Sequence, residues 1–442
     1  MDFSQILPVI GNNVFILVAF VVALSVIVAI HEYGHYIVGR WCGIHAETFS
    51  LGFGPVLASR VDKRGTKWQF AALPFGGYVK FLGDANAASV GGTDQVAGFS
   101  PRNTMPGAPL WARAATVAAG PIANFLLAIA IFAGYLMSQG QPIDPVTYAR
   151  AHDLPASFAS DLQAGDQITA IGGIAFGQDA PPSDDTFPLE QVVEYDITRD
   201  GVAMVVQGPY PVPPRVSGLS PRSAADEAGL KIGDVITAID GNPIFAFEQV
   251  VTAVNAIDGG SLDLTIWRAG ETLNYQMSPR RVDLPNEDGG FETRWLIGIS
   301  GDLFFEGATE RLGLWSSLKM GTEQLWWRIK TSLSGLWHIF AGNISTCNLS
   351  GPVGIAQASG SMAAQGAESF VLFLGMLSAA VGLLNLFPIP ILDGGHLVFH
   401  AYEAIARRKP SDQAMQYLMF GGLAIVGALM IFALLNDLIL CP

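Results

Sequence analysis

Charge is what this chain has least of. Only 14% of its 442 residues are Asp, Glu, Lys or Arg, whereas soluble domains carry about 25%. Half the residues are apolar and mean hydropathy is positive, so the deficit argues against an ordinary soluble protein. No Lys or Arg precedes Arg40 and none follows Lys409. Cysteine is scarce too. Cys42, Cys347 and Cys441 share no metal-type spacing and do not support a disulfide framework. The formal charge is −14 and the soluble portion is acidic, which argues against nucleic acid as a partner.

In place of charge there are four apolar runs, roughly Val14–Val38, Ala112–Met137, Phe370–Ile391 and Tyr417–Leu435. Each approaches the ~20 residues that cross ~30 Å of hydrocarbon. The first has no basic residue ahead of it and no small-residue cleavage site before His31, so it reads as a retained helix rather than a cleavable signal. Residues 40–113 hold 8 basic and 4 acidic side chains, and Arg407, Arg408 and Lys409 sit in the last loop. The positive-inside rule puts both stretches in the cytoplasm. Residues 139–368, with 28 acidic and 13 basic side chains, then face outward with both termini.

Residues 139–305 read as soluble and β-rich, and they contain a repeat. Asp161-Leu-Gln-Ala-Gly-Asp-Gln-Ile-Thr-Ala-Ile-Gly-Gly173 matches Gly229-Leu-Lys-Ile-Gly-Asp-Val-Ile-Thr-Ala-Ile-Asp-Gly241. The offset suits two small domains better than a solenoid unit. A Gly-Asp turn, an alternating strand and a second turn resemble the core of PDZ domains. The second copy matches better, because Ser220–Gly229 precedes it in the usual way, while a Pro/Asp-rich stretch (Ala180–Pro188) follows the first as a loop insertion. Such domains bind extended peptides at a sheet edge, or serve here as steric filters. Beyond them, Leu312, Trp315, Leu318, Leu325, Ile329, Leu333, Leu336 and Phe340 recur at helical spacing, which predicts an amphipathic helix on the outer membrane surface or beneath the soluble domains.

The chemistry is concentrated in His31-Glu-Tyr-Gly-His35. On a helix, residues four apart share a face, so two imidazoles can reach one Zn²⁺ with Glu32 beside them as base. The motif lies within an apolar run, where titratable groups are costly unless paired or coordinated. Catalytic zinc takes three protein ligands and keeps a position for water. The third is expected from another helix at matching depth. Asn385-Leu-Phe-Pro-Ile-Pro-Ile-Leu-Asp-Gly-Gly-His396 ends the third run on the same side. Pro388 and Pro390 break the helix there, and irregular backbone at membrane depth belongs inside protein or beside a wet cavity. Asp393 is the preferred third ligand. His396 and His400, also four apart, compete, and His396 can alternatively support the ligands from behind. Asn385 can donate to an oxyanion or to substrate backbone. Trp68–Phe81, with Leu73-Pro-Phe-Gly-Gly-Tyr-Val-Lys80 at its centre, reads as a β-hairpin on the side of the metal. Its edge, near Gly76, Gly77 and Tyr78, could pair with an unwound substrate.

Together these residues resemble the bacterial site-2 proteases, specifically the RseP-like regulators of sigma-E signalling. The similarity extends over nearly the whole chain and includes Gly52-Phe-Gly-Pro55, Pro109-Leu-Trp-Ala-Arg-Ala, Ala119-Gly-Pro-Ile-Ala-Asn124 and Asn348-Leu-Ser-Gly-Pro-Val-Gly-Ile355. The resemblance implies four transmembrane helices with two PDZ-like domains inserted between helices 2 and 3, in a bacterial inner membrane. It implies zinc on His31, His35 and Asp393, Glu32 as base, Asn385 with Pro388 and Pro390 holding substrate, and a membrane-reentrant β-element. It implies single-pass membrane substrates already trimmed outside, such as an anti-sigma factor or leftover signal peptides, with the PDZ-like domains excluding untrimmed ones. The expected divisions are 1–40 (first span and zinc motif), 41–111 (cytoplasmic loop with the hairpin), 112–138 (second span), 139–212 and 213–305 (PDZ-like domains), 306–368 (amphipathic helix and linker), 369–400 (third span with Asp393) and 401–442 (loop and fourth span). An inert scaffold holding partners through PDZ-like domains is the alternative, and Glu32 argues against it. A metal transporter fits less well, because the polar residues cluster at one depth on two helices.

Overall fold

The computed structural model describes residues 3–83, 100–176, 187–286 and 290–440. Most of the expected insertion, Ala180–Pro188, lies outside these. The chain divides into two compact units, residues 1–133, 318–333 and 349–442, and residues 134–317 and 334–348. The helices in chain order are α1 (Phe3–Trp41), α2 (Leu110–Gln139), α3 (Ala224–Ala228), α4 (Phe247–Ala256), α5 (Leu314–Phe340), α6 (Pro352–Ala364), α7 (Ala367–Asn385), α8 (Asp393–Ala406) and α9 (Asp412–Leu435).

In the first unit, four helices are long and apolar enough to cross a membrane: Asn13–Trp41, Leu110–Gln139, Ala367–Asn385 and Gln413–Leu440. Their Val- and Ile-rich sequences would suit strands in water. In hydrocarbon, a lone segment can satisfy its backbone only as a helix. The third run is shorter than its apolar composition suggests. It stops at Asn385, because Pro388 and Pro390 have no N–H to continue the ladder, and α8 starts at Asp393. The linker expected before the third span contains a separate helix, α6. Asp437 accepts hydrogen bonds from the Gly351 and Gly354 amides at 3.0 and 2.9 Å, a carboxylate satisfying the open N–H groups of a helix start.

Between α1 and α2 lie strands β1 (Ala46–Val61) and β2 (Lys67–Phe81). They do not form the simple hairpin expected over Trp68–Phe81. β1 and β2 are each folded back: 67–71 pairs with 56–61 and 67–70 also with 48–51, while 46–51 pairs with 77–81. The bend falls at Gly76, whose φ of +140° suits a residue without a Cβ. This sheet packs on the end of α1 through Tyr36, Ile44, Phe49, Val79 and Phe81.

The second unit carries two four-stranded sheets of the same order, 174–175/167–171/192–199/202–209 and 242–243/235–239/262–268/271–277. The repeated Gly-Asp turn has a defined task in both. Asp166 accepts from the Gln163 amide and Asp234 from the Lys231 amide, each at 2.7 Å. Each carboxylate then takes a two-pronged bond from an arginine on the third strand, Arg199 and Arg268. The first module is closed by chain that follows the second: Phe305–Gly307 pairs with Tyr148–Ala151, and Phe304 and Phe305 fill its core. A boundary between modules at 212/213 therefore leaves out 304–310, which belongs to the earlier one.

Cysteine scarcity misled in one respect. Cys347 is disulfide-bonded and Cys42 is a free thiol. Three cysteines without short spacing carry no signal for a single bridge.

The Arg199 guanidinium holds the Asp166 carboxyl below the usual range. A depressed native value stabilises the fold above the unfolded pKa of about 4 and is lost as pH falls through the lower native one. Asp166→Asn is expected to cost on the order of 3 kcal/mol at pH 7, and the cost shrinks as pH falls through the depressed native value. Hydrogen exchange of residues 192–209 in wild type and variant checks both ends.

Candidate metal centre

His31, Glu32 and His35 sit on α1, which crosses α2 closely. A Cβ on Gly34 would fall 2.4 Å from the Ala119 carbonyl and 2.7 Å from the Ala123 Cβ, so the helices meet through small residues. A Cβ on Gly120 would lie 2.3 Å from His35 Nε2 and 2.8 Å from His31 Cε1. Both imidazoles therefore rest on bare α2 backbone.

Asp393 comes from the far end of the chain. The 386–392 turn folds tightly onto the start of α8, where a Cβ on Gly394 or Gly395 would come within 2.3 Å of the Leu386 or Ile389 carbonyl. The Arg113 guanidinium on α2 clasps Glu403 on α8 with bonds of 2.9 and 2.8 Å. That pair ties α8 to the helix against which the histidines lean.

Asp393 Oδ2 lies 3.2 Å from His31 Nε2 and 3.4 Å from His35 Nε2, and the two Nε2 atoms are 3.2 Å apart. Among the described residues this is the group able to hold a metal ion. His35 Nδ1 lies 2.8 Å from the Thr116 carbonyl, an acceptor, so Nδ1 carries the proton and Nε2 presents a lone pair. Asp393 Oδ2 is buried without a hydrogen-bond donor of its own. Three lone-pair-bearing atoms facing one another in an apolar interior repel unless a cation sits between them, and two imidazoles with a carboxylate suit zinc.

A residue without an assigned role in the sequence reading completes the set. Asn124 is fully buried, and its Nδ2 is placed 3.2 Å from His31 Nδ1 while its Oδ1 has no partner. Turning the amide over aims Oδ1 at His31 Nδ1–H, and amide orientation is assigned from such bonding. Both histidines then donate through Nδ1 and keep Nε2 free. The sequence signal was an amide in the middle of an apolar span.

The remaining predicted residues are spread around this centre. Glu32 lies beside it, under β2: a Cβ on Gly77 would come 3.1 Å from Glu32 Cγ. Gly76 lies under the Phe53 ring, and the Tyr78 hydroxyl accepts from Gln69. Asn385 ends α7 and donates to Val381 of its own helix at 3.0 Å. Pro388 and Pro390 lie in the turn between α7 and α8. His396 and His400 are outside the three-ligand group.

Two substitutions test this packing. Gly120→Ala drives a methyl into both rings and should lower bound zinc well below one per chain, measured by elemental analysis after dialysis. Asn124→Asp retains an acceptor for His31 and should hold zinc against a chelator, whereas Asn124→Leu should weaken it by about 10–100-fold, the usual effect of removing such a partner.

The chain is similar to known proteins over nearly its whole length. The model of peptidase family M50 matches residues 19–429. A protein of Agrobacterium fabrum named as a zinc metalloprotease is 35% identical over 427 residues, covering 96% of this chain and 95% of that protein. The regulator of sigma-E protease of Salmonella typhimurium strain 14028s is 34% identical over 453 residues, and that of Escherichia coli K12 33% over 454, each covering 95% of this chain and 98% of the relative. With the family model covering most of the sequence and these relatives matching nearly end to end, the chain belongs to peptidase family M50 and is a zinc metalloendopeptidase.

Proposed function

We propose that this protein cleaves membrane-spanning segments of single-pass proteins at the α1–α8 centre. His31, His35 and Asp393 hold the zinc, and Glu32 is the general base. The orphaned Asp393 Oδ2 between two Nε2 atoms is the observation that carries this reading. Zinc, when bound, supplies Lewis acidity toward water and the scissile carbonyl. Glu32 accepts the proton of the attacking water and returns it to the leaving amine. Asn385, after turning from its bond to Val381, steadies the oxyanion or the substrate backbone.

A helical substrate hides its peptide bonds and must unwind before attack. The edge at Gly76, Gly77 and Tyr78, next to Glu32, offers backbone groups to an extended strand. Exposed Val56, Leu57, Val61, Phe70 and Leu73 support a β-element that dips into lipid. The two β modules act as PDZ-like size filters, so that substrates arrive already trimmed, as an anti-sigma factor would. The enzyme sits in a bacterial inner membrane, with the modules and termini in the periplasm and the zinc toward the cytoplasm. The free Cys42 just after α1 and the bonded Cys347 beyond α5 support that orientation, since disulfides persist in oxidising compartments.

Glu32→Gln should keep zinc and lower cleavage of a tagged single-pass substrate by ~10²-fold or more. Asp393→Ala should lose zinc. Cleavage that survives Glu32→Gln would remove that residue from the base role. Removing residues 139–305 should relax the demand for trimmed substrate, and stricter selection instead would defeat the filter.

A further inference from the structure

Away from the metal centre, a half-buried arginine lines an apolar groove. In the first unit, α5 and α7 line an open-sided cavity of about 280 Å³, with Arg328, Thr331 and Ser332 on one side and Met376, Ala379 and Ala380 on the other. Arg328 Nε is buried without a hydrogen-bond partner, and among the described residues no carboxylate pairs with its guanidinium. Its charge lies 5.3 Å from the Phe132 ring centroid and 6.0 Å from that of Trp327. Ring faces offset part of the charge but accept none of the planar fork of N–H donors. An unpaired cation in an apolar wall is costly and marks a functional site whose partner should be named.

We propose that this cavity binds the phosphate and upper acyl chain of an anionic phospholipid. The guanidinium fork matches phosphate oxygens in two-pronged fashion, and Thr331 and Ser332 can add hydroxyl donors. The walls from α7 are apolar and suit a chain. Phe132 lies seven residues before the end of α2 at Gln139, ~10 Å along the axis, a depth from which an arginine reaches headgroups. Trp326 and Trp327, both exposed, are the residue type that gathers at that level. An extended peptide fits less well, because both walls are helices whose backbone groups are already bonded and no strand edge faces the cavity.

The test is native mass spectrometry of the full chain in micelles doped with phosphatidylglycerol or phosphatidylcholine. Wild type should retain one phosphatidylglycerol with a preference of about fivefold or more, the factor one basic residue contributes at an anionic lipid surface. Arg328→Gln should remove the preference. Ala380→Trp, which keeps the charge but fills the cavity from its α7 wall, should remove the bound lipid. Arg328→Lys should retain part of the preference, which separates charge from misfolding. Equal retention of both lipids by wild type overturns the proposal, as does a preference that survives both Arg328→Gln and Ala380→Trp. Displacement of the lipid by millimolar inorganic phosphate would make this a free-anion site. Displacement by a peptide with a free C-terminal carboxylate would reassign it to substrate.

Discussion

Two imidazoles and a carboxylate aim lone pairs at one point inside an apolar helix cluster, and that repulsion constrains everything near it. A cation bound between them relieves it. The local sequence is arranged to bring the three groups close. Gly34 and Gly120 let α1 and α2 touch, Gly394 and Gly395 let the start of α8 tuck under a proline-broken turn, and the Arg113–Glu403 pair keeps α8 against α2. None of these residues belongs to the His31, His35 and Asp393 group, yet each reduces the freedom of a group that does. The centre is held by backbone proximity more than by side-chain bulk, as expected where helices associate without a hydrophobic driving force between them.

Much of this was legible in the sequence, for definite reasons. The His31–His35 spacing works because the surrounding helix is obligatory in lipid. Asp393 is preferred over His396 and His400 partly on the family resemblance, and the structure puts Asp393 Oδ2 against both rings. The Gly-Asp repeat was visible as text, and its cause is a turn carboxylate shared between a backbone amide and an arginine on the third strand.

What was hidden depends on contacts distant in sequence. Nothing in the alternation of 46–81 reveals that β1 and β2 each fold back so that 46–51 has neighbours on both sides, because pairing partners are not encoded in a strand's own pattern. Asn124 looked like one polar residue in a span until the His31 ring was placed beside it. Phe304 and Phe305 complete a core begun some 150 residues earlier, and an inserted module leaves no local mark of its insertion.

The separation of the ligands along the chain has a consequence for biosynthesis. The two histidines leave the ribosome about 360 residues ahead of the carboxylate, which follows both β modules and the third span. Until α8 is inserted and clasped to α2, the histidine pair lacks its third ligand. Under the proposed ligand set, a nascent copy cannot assemble the complete centre while its own spanning segments are still threading into the bilayer, and order of synthesis alone would delay peptidase activity until the scaffold is finished.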